Sequence, residues 1–507
     1  MSAIFSTIFA SDGTLEHGDE RSVACIRQVC YIAYKLNLPF SSEVCERTLE
    51  KFEVVDGSLQ VEDYKDDDVL IEARSLLHQL FKGFDPLDIK PMHGPGAVAD
   101  RLTGRDKYRS TYFNWKLDCV YPYATYISGT AYAGIHEHLS DMKQRVWVDT
   151  HPPARVVLVP KDSRGPRLIS CEPAQLQYLQ QGLGRSIVKL VESHYLTKGN
   201  VNFTDQTVNR KLAMVGSKTR LFSTLDMKDA SDRVSLSLVR YLFEDIYKYL
   251  DILRSDRTEL PNGKIVYLRK FAPMGSALCF PIEALTFWAL TCAVIGLKTR
   301  CRASSVKSVF VYGDDIIVPT EFARAVVSAL EKYQLLFNTD KCNILGHFRE
   351  SCGCDAFHGI DVTPVRLRVP GLPDRGFRST CYRLSESACG LFDKGYWRTS
   401  EYLWSMIESR LGVKLPCADS SFPGIARKSS LIPTAFRPNG WPVRWNKVLQ
   451  RKEVKTFYCD SRKESSPFPS SAARLCHNLF QGMVRPYDDC VAVLSSPAPS
   501  KTRWVIA

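Results

Sequence analysis

A chain of 507 residues, 45% hydrophobic and 24% charged, has ordinary globular composition and length for a large core or several subdomains. That excludes a chain too small or too polar to fold around a core of its own. Lysine and arginine outnumber the acids 67 to 55, a formal charge of +12, which favours a polyanionic partner without requiring one.

Seventeen cysteines are scattered through the chain, and Met1 to Ala10 lacks the basic start and full apolar run of a signal peptide. Reduced thiols in a cytosolic compartment are the expectation. Cys352-Gly-Cys354 with His358 lacks a second pair at zinc spacing, so a zinc site is not expected. Ala277 to Leu297 imitates a membrane span, but Pro281 and Glu283 interrupt it, and what remains is shorter than the ~20 residues a span needs. A buried core helix is predicted there, and no membrane association.

In chain order, residues 1–90 read as mainly helical, with apolar spacing over Gln28 to Leu36 and Val69 to Phe84. Asp63 to Asp68 reads as a solvated loop or helix start. His93-Gly94-Pro95-Gly96-Ala97 is a tight loop, either a structural turn or an approach to a phosphate backbone. Val156 to Pro160 and Leu168 to Ser170 read as strands around a basic loop holding Lys161, Arg164 and Arg167. Such a loop is either a solvated turn or a clamp for triphosphate oxygens. A helix is expected from Pro173 to about Ser193.

Leu221 to Leu225 is predicted to be a buried strand ending in Asp226-Met227-Lys228-Asp229-Ala230-Ser231-Asp232, with a helix marked by Leu238, Leu242 and Ile246 behind it. Asp232 or Ser231 suits the helix N-cap, and Asp232 equally suits a functional role. Asp226, at a strand's carboxyl end, reads as functional. Pro261-Asn262-Gly263 marks a hairpin, and Met274-Gly275-Ser276-Ala277 is a small-residue loop that lets a ligand approach backbone. Val309 to Pro319 reads as two apolar strands joined by Gly313-Asp314-Asp315, with two carboxylates at the tip. Gly-Asp-Asp is also ordinary hairpin punctuation, so the reading depends on a third carboxylate. An amphipathic helix over Phe322 to Tyr333 leads to Lys341, and Ser379 to Leu411 reads as helical. Ser- and Pro-rich stretches follow, over Cys417 to Pro442, Ser465 to Ser471 and Ser495 to Ser500.

This order of elements brings Asp226 beside Asp314 and Asp315. Three carboxylates suit two divalent cations about 3.5–4 Å apart, one activating an attacking hydroxyl and one on a triphosphate and its pyrophosphate leaving group. The basic loop neutralises the remaining triphosphate charge.

The motif series over residues 150–370 resembles palm-fold RNA-dependent RNA polymerases, specifically the replicase catalytic subunit of single-stranded RNA bacteriophages (leviviral, Qβ type). Val159-Pro160-Lys161 through Cys171-Glu172-Pro173 resembles the basic fingers motif, and Asp205-Gln206-Thr207 with Asn209 the segment before the first palm motif. Leu225-Asp226 to Ser231-Asp232, with five residues between the aspartates, resembles that motif. Met274-Gly275-Ser276 to Glu283 resembles the second and Tyr312-Gly313-Asp314-Asp315 the third. Arg349-Glu350-Ser351-Cys352-Gly353 with Asp361 to Pro364 resembles the palm–thumb hairpin, and His93 to Ala97 an N-terminal Gly-Pro-Gly loop.

The resemblance implies a mixed α+β right-hand fold. Residues 1–150 would be an N-terminal region and outer fingers, and 151–220 fingers with the basic nucleotide-binding motif. The palm, an antiparallel sheet backed by helices, would span 221–370 with a hairpin insertion at 251–272, and 371–507 would be thumb and C-terminal region. It implies template-directed RNA synthesis replicating a phage genome, with two Mg2+ ions (Mn2+ substituting) held by Asp226, Asp314, the assisting Asp315 and the Met227 carbonyl. Lys161, Arg164 and Arg167 would bind triphosphate, and Asp232 with Ser231, Gly275 and Ser276 would read the ribose. Lys341 would protonate pyrophosphate, and Tyr312, Gly313, Arg349 and Glu350 would contact RNA or support the site. Qβ-type enzymes can carry Gly-Asn where this chain has Gly275-Ser276, which changes how the sugar-reading is divided. Implied partners are RNA template and product, ribonucleoside triphosphates, translation elongation factors Tu and Ts and a ribosomal RNA-binding protein, in the cytoplasm of an infected bacterium. A narnavirus- or mitovirus-like polymerase, a reverse transcriptase and a non-catalytic RNA-binding scaffold are the competing readings. Small Ser231 and Asp232 stand where a reverse transcriptase typically carries a bulky aromatic, and a scaffold predicts loss of a carboxylate that this chain retains.

Overall fold

The computed structural model describes residues 9, 18–36, 38–59, 67–108, 112–127, 146–367, 377–417, 425–428, 441–457 and 502–506. The Ser/Pro stretches at 465–471 and 495–500, and most of that at 417–442, lie outside the described residues.

Three helices come first: α1 (Glu20–Tyr31), α2 (Ser42–Ser58) and α3 (Asp68–Phe81). The apolar spacing over Gln28 to Leu36 marks only the end of α1, which starts earlier because Asp19 caps it, accepting from Ser22 N–H at 2.9 Å. Asp67, at the end of the acidic run, caps α3. A four-stranded sheet follows from β1 (Ala154–Asp162), β2 (Gly165–Cys171), β4 (Arg257–Glu259) and β5 (Ile265–Tyr267), in the order β2-β1-β4-β5. Both the basic loop and the Pro261-Asn262-Gly263 turn are hairpins of this sheet. Between its halves run α4 (Ala174–Ser193), α5 (Thr207–Thr219), β3 (Phe222–Asp226) and the short helices α6 (Ala230–Arg233) and α7 (Leu236–Leu242).

The apolar segment becomes α8 (Cys279–Thr299), hydrophobic on all sides and therefore buried rather than amphipathic. It is long and apolar enough to cross a membrane, yet 83% of its most apolar window is buried inside the protein, packed against α3. It backs the sheet that matters most: β3, β6 (Phe310–Tyr312) and β7 (Asp315–Pro319), followed by α9 (Thr320–Glu331), which packs Ala323, Val326 and Leu330 inward. The order is β3-β7-β6, all antiparallel, with Asp226 opposite Asp315 and Tyr312 opposite Asp315.

Neither edge of that sheet is left unpaired. Val311 N–H donates to Asn200 O at 2.8 Å and Asn202 N–H to Val311 O at 3.1 Å on the β6 side. On the β3 side, Asn343 N–H donates to Thr224 O at 2.8 Å and Asn338 N–H to Asp226 O at 2.9 Å, which carries Lys341 to the site. A third sheet, β8 (Phe348–Ser351), β9 (Cys354–Phe357) and β10 (Ile360–Asp361), packs on α5. Beyond it α10 (Phe377–Asp393) and α11 (Trp397–Leu411) form a separate apolar cluster around Trp404; the single helical stretch expected there breaks at Gly395, where φ is +82°. The outcome is the expected mixed α and β fold.

Candidate active site

Antiparallel pairing with a two-residue turn sets the geometry. In β3 and β7 the cross-strand register puts Asp226 and Asp315 opposite each other at the strand ends, and Gly313-Asp314 forms the turn. Gly313 has φ of +62°, and a Cβ there would come within 2.2 Å of the Phe280 ring. Phe280 in turn packs edge-on against Tyr312 at 5.6 Å. Tyr312 and Gly313 are therefore seated by α8, and Asp314 is left exposed.

The two acids of the tip differ in environment. Asp226 and Asp314 both line a cleft of about 1110 Å3; Asp315 does not. Its carboxylate is turned into the wall, where Oδ2 accepts the Cys352 N–H at 2.9 Å. Burial, with the Asp314 charge adding to it, pushes Asp315 up to about 7. Burial also raises Asp226, opposed by Lys341, whose Nζ lies 3.2 Å from Asp226 Oδ1. Among the described residues no three acids, histidines or cysteines gather closely enough to hold a metal as they stand. The expected triad is thus two carboxylates on the cleft and one behind them, and the Cys352, Cys354 and His358 trio forms no cluster. His358 packs on Phe357 and His347 instead.

The cleft also carries basic side chains. Lys161, Arg164 and Arg167 all line the cleft from the β1–β2 hairpin. Burial, then neighbouring Arg167, lowers the Lys161 ammonium below its ordinary range. Arg164 is not a free cation: it makes a two-bond pair with Asp162, at 3.1 and 3.0 Å, and sits 5.3 Å over the Tyr34 ring. Asp162 cancels part of the positive charge read from the loop.

Ser231 and Asp232 line the cleft but cap no helix, contrary to one expectation: α6 and α7 are separate, and Ser235 caps α7, accepting from Leu238 N–H at 3.2 Å. Asp232 Oδ1 instead accepts from Lys270 Nζ at 2.9 Å. Gly275 has φ of +129°, and its missing Cβ admits the Ser170 carbonyl, which a side chain would meet at 2.0 Å. Ser276 is buried at the cleft wall, and its hydroxyl accepts the Leu278 N–H at 3.3 Å at the start of α8. Glu283, also in the wall, is held well above the usual carboxylate range by burial and then by Asp314.

Sequence reasoning missed Asp162, Phe280, Lys270 and the whole of α2, whose Thr48, Lys51, Phe52 and Val55 form part of the cleft. Only α2 carried a signal, the i,i+4 spacing of Arg47 and Lys51 beside apolar Phe52 and Val55.

The family model described as RNA replicase, beta-chain, matches residues 43–373, well over half of the chain. The chain belongs to the RNA replicase beta-chain family. Across 216 residues, 42% of this chain and 38% of the relative, it is 37% identical to the RNA-directed RNA polymerase beta chain of Enterobacteria phage fr. It is 34% identical to the corresponding chain of Escherichia phage MS2 over 216 residues, covering 42% and 38%. With the RNA-directed RNA polymerase subunit beta of Qbeta virus (strain MX1) it shares 36% over 218 residues, covering 42% and 35%. The aligned segment therefore spans under two-fifths of each of these relatives. The family match begins at residue 43, so it takes in all of α2 but its first residue and every residue lining the cleft.

Arg349 does not line the cleft. It is fully buried, and its guanidinium donates to the carbonyls of Phe222 at 2.6 Å, Phe348 at 2.6 Å and Gly346 at 3.1 Å. These bonds tie the β8 hairpin to β3. Burial raises Glu350, half-buried nearby.

The raised Asp315 carboxyl has a consequence for stability. Between pH ~4 and ~7 the folded chain holds a proton there that the unfolded chain, with an ordinary aspartate, has released. Stability therefore falls as pH rises through that window and levels off above it. Fully buried Glu172, also raised to about 7 by burial, acts in the same direction. Asp315→Asn should shrink the fall in melting temperature between pH 5 and 8, measured by calorimetry in chelator. An unchanged fall would contradict the environment described for Asp315.

Proposed function

We propose that this chain is the catalytic subunit of an RNA-dependent RNA polymerase, elongating RNA on an RNA template from ribonucleoside triphosphates with release of pyrophosphate. The observation that carries the reading is that Asp226 and Asp314 line the same cleft as Lys161 and Arg167. Carboxylates and basic side chains gathered on one cleft are the charge pattern of a triphosphate site with divalent cations. Family membership and the RNA-directed RNA polymerase activity for which the phage relatives are named support it.

The donor set fits Mg2+, with Mn2+ as substitute, because magnesium needs only one or two protein carboxylates plus substrate phosphates. Asp226, Asp314 and the Met227 carbonyl would hold it; the strand bonds beside Met227 run through the Asp226 and Leu336 carbonyls instead. Asp315 would assist from behind. When bound, two such ions would lower the pKa of the 3′-hydroxyl and stabilise the leaving pyrophosphate. Lys161 and Arg167 orient and neutralise the triphosphate, and Arg164 joins once it leaves Asp162. Asp232 and Ser231 take the ribose hydroxyls, with the Gly275-Ser276 loop beneath them. Lys341 would give a proton to the pyrophosphate after exchanging its Asp226 pair.

In hand-like terms, the β3-β7-β6 sheet with α8 and α9 would be the palm over 221–370, with 251–272 inserted, 151–220 the fingers and 1–150 outer fingers. Residues 371–507 would be thumb and C-terminal region. RNA, elongation factors Tu and Ts and a ribosomal RNA-binding protein are the proposed partners, in the bacterial cytoplasm. The test is expression in a bacterium, identification of co-eluting proteins, and incorporation of labelled ribonucleotide with and without them. Incorporation that needs an RNA template and Mg2+ supports the reading; none under any combination overturns it.

A further inference from the structure

Lys270 is completely buried, and it faces two carboxylates, Asp232 at 2.9 Å and Asp56 at 3.7 Å. Its ammonium also lies 3.7 Å over the ring of Phe52. Ion pairing of two buried charges needs only one acid, and Asp56, buried in α2, would balance Lys270 alone. Asp56 is already occupied, accepting the backbone N–H groups of Arg269 at 3.0 Å and Lys270 at 3.1 Å. The shorter contact goes to Asp232, whose side chain is 31% exposed and lines the cleft. Asp56 and Phe52 thus fix the ammonium from behind, and Lys270 aims at the acid that faces substrate.

We propose that Lys270 is a positioning residue for ribose selection: held by Asp56 and Phe52 of α2, it fixes one oxygen of Asp232 and leaves the other to the nucleotide sugar. This rests on the reading of Asp232 as a ribose contact. A carboxylate pinned by one charge-assisted bond loses rotamer freedom before substrate arrives, so a 2′-hydroxyl is met by a preset acceptor. It also makes α2, whose Asp56 lies 170 residues upstream of Asp226, part of the nucleotide site.

The experiment measures incorporation of a ribonucleotide and its 2′-deoxy analogue by full-length wild type, Lys270→Met, Asp232→Asn and the double variant, with whichever co-purified proteins the enzyme needs. Lys270→Met keeps the length of the stem and removes the charge. It is expected to raise KM for the ribonucleotide and to lower ribo-over-deoxy preference by about tenfold, the scale of a lost charge-assisted bond. Its effect on that preference should vanish when Asp232 is already Asn. Asp56→Asn, which keeps the ammonium, should give a smaller loss in the same direction and covers the case in which Lys270→Met does not fold. If Asp232→Asn changes the preference but neither Lys270→Met nor Asp56→Asn does, the positioning role is overturned. If Asp232→Asn itself leaves the preference unchanged, the ribose reading of Asp232 fails first. A purely structural Lys270 would lower melting temperature and kcat with no change in the preference.

Discussion

Asp314→Asn is expected to lower RNA-templated nucleotide incorporation by at least about 10³-fold, several kcal/mol of transition-state stabilisation, while leaving the fold intact. Asp314 sits in an exposed turn, so an isosteric amide costs the fold little. The sheet register, the Gly313 turn and the Phe280 contact do not depend on its charge. What is removed is one of the two carboxylates, Asp226 and Asp314, that would hold the divalent cation at the strand ends of the cleft. Asp315→Asn should be milder, because an amide oxygen can still accept the Cys352 N–H. Steady-state incorporation beside melting curves checks both. Asp314→Asn within tenfold of wild type would remove Asp314 from the chemistry.

The second large effect belongs to a residue with no functional group. Gly275→Ala is expected to destabilise the chain by about 3 kcal/mol or more, from a disallowed φ added to a backbone clash. The Ser170 carbonyl occupies the space of the new methyl at 2.0 Å, and Ser170 N–H donates to Met274 O at 2.8 Å, so the two segments cannot part without losing that bond. The displaced wall is the loop under Asp232, and activity should fall with stability. Denaturant unfolding and incorporation measured together decide it; a variant as stable and active as wild type would show that the loop is not the rigid floor described here.

Much of this site was legible in the chain because its parts are local. Asp226 ends an apolar strand and Asp314 sits in a Gly-Asp turn between two others, patterns that period and turn chemistry reveal. The difference between Asp314 and Asp315 was legible only in part: alternation places them differently, but the Cys352 N–H that turns Asp315 into the wall comes from a hairpin 37 residues away. Lys270 gave no signal, since a lysine after a short strand ordinarily reads as solvated, and its burial depends on Asp56, 214 residues upstream. Arg164 illustrates the converse. The sequence displays its charge, but not that Asp162, two residues before it, already holds it. The helix cap assigned to Asp232 or Ser231 failed because Val234 and Ser235 break the helix between them and Leu238, and Ser235 is itself a good cap.

RNA copying by this cleft is tested most directly by whether template sequence dictates product. Purified chain, with whatever host proteins co-elute, is given an RNA template, Mg2+ and the four ribonucleotides, and then the same mixture lacking one of them. Synthesis that stops at each template position calling for the missing base, and that disappears in Asp226→Asn, is the predicted result. Incorporation that continues regardless of template base, or that persists in Asp226→Asn, would contradict it.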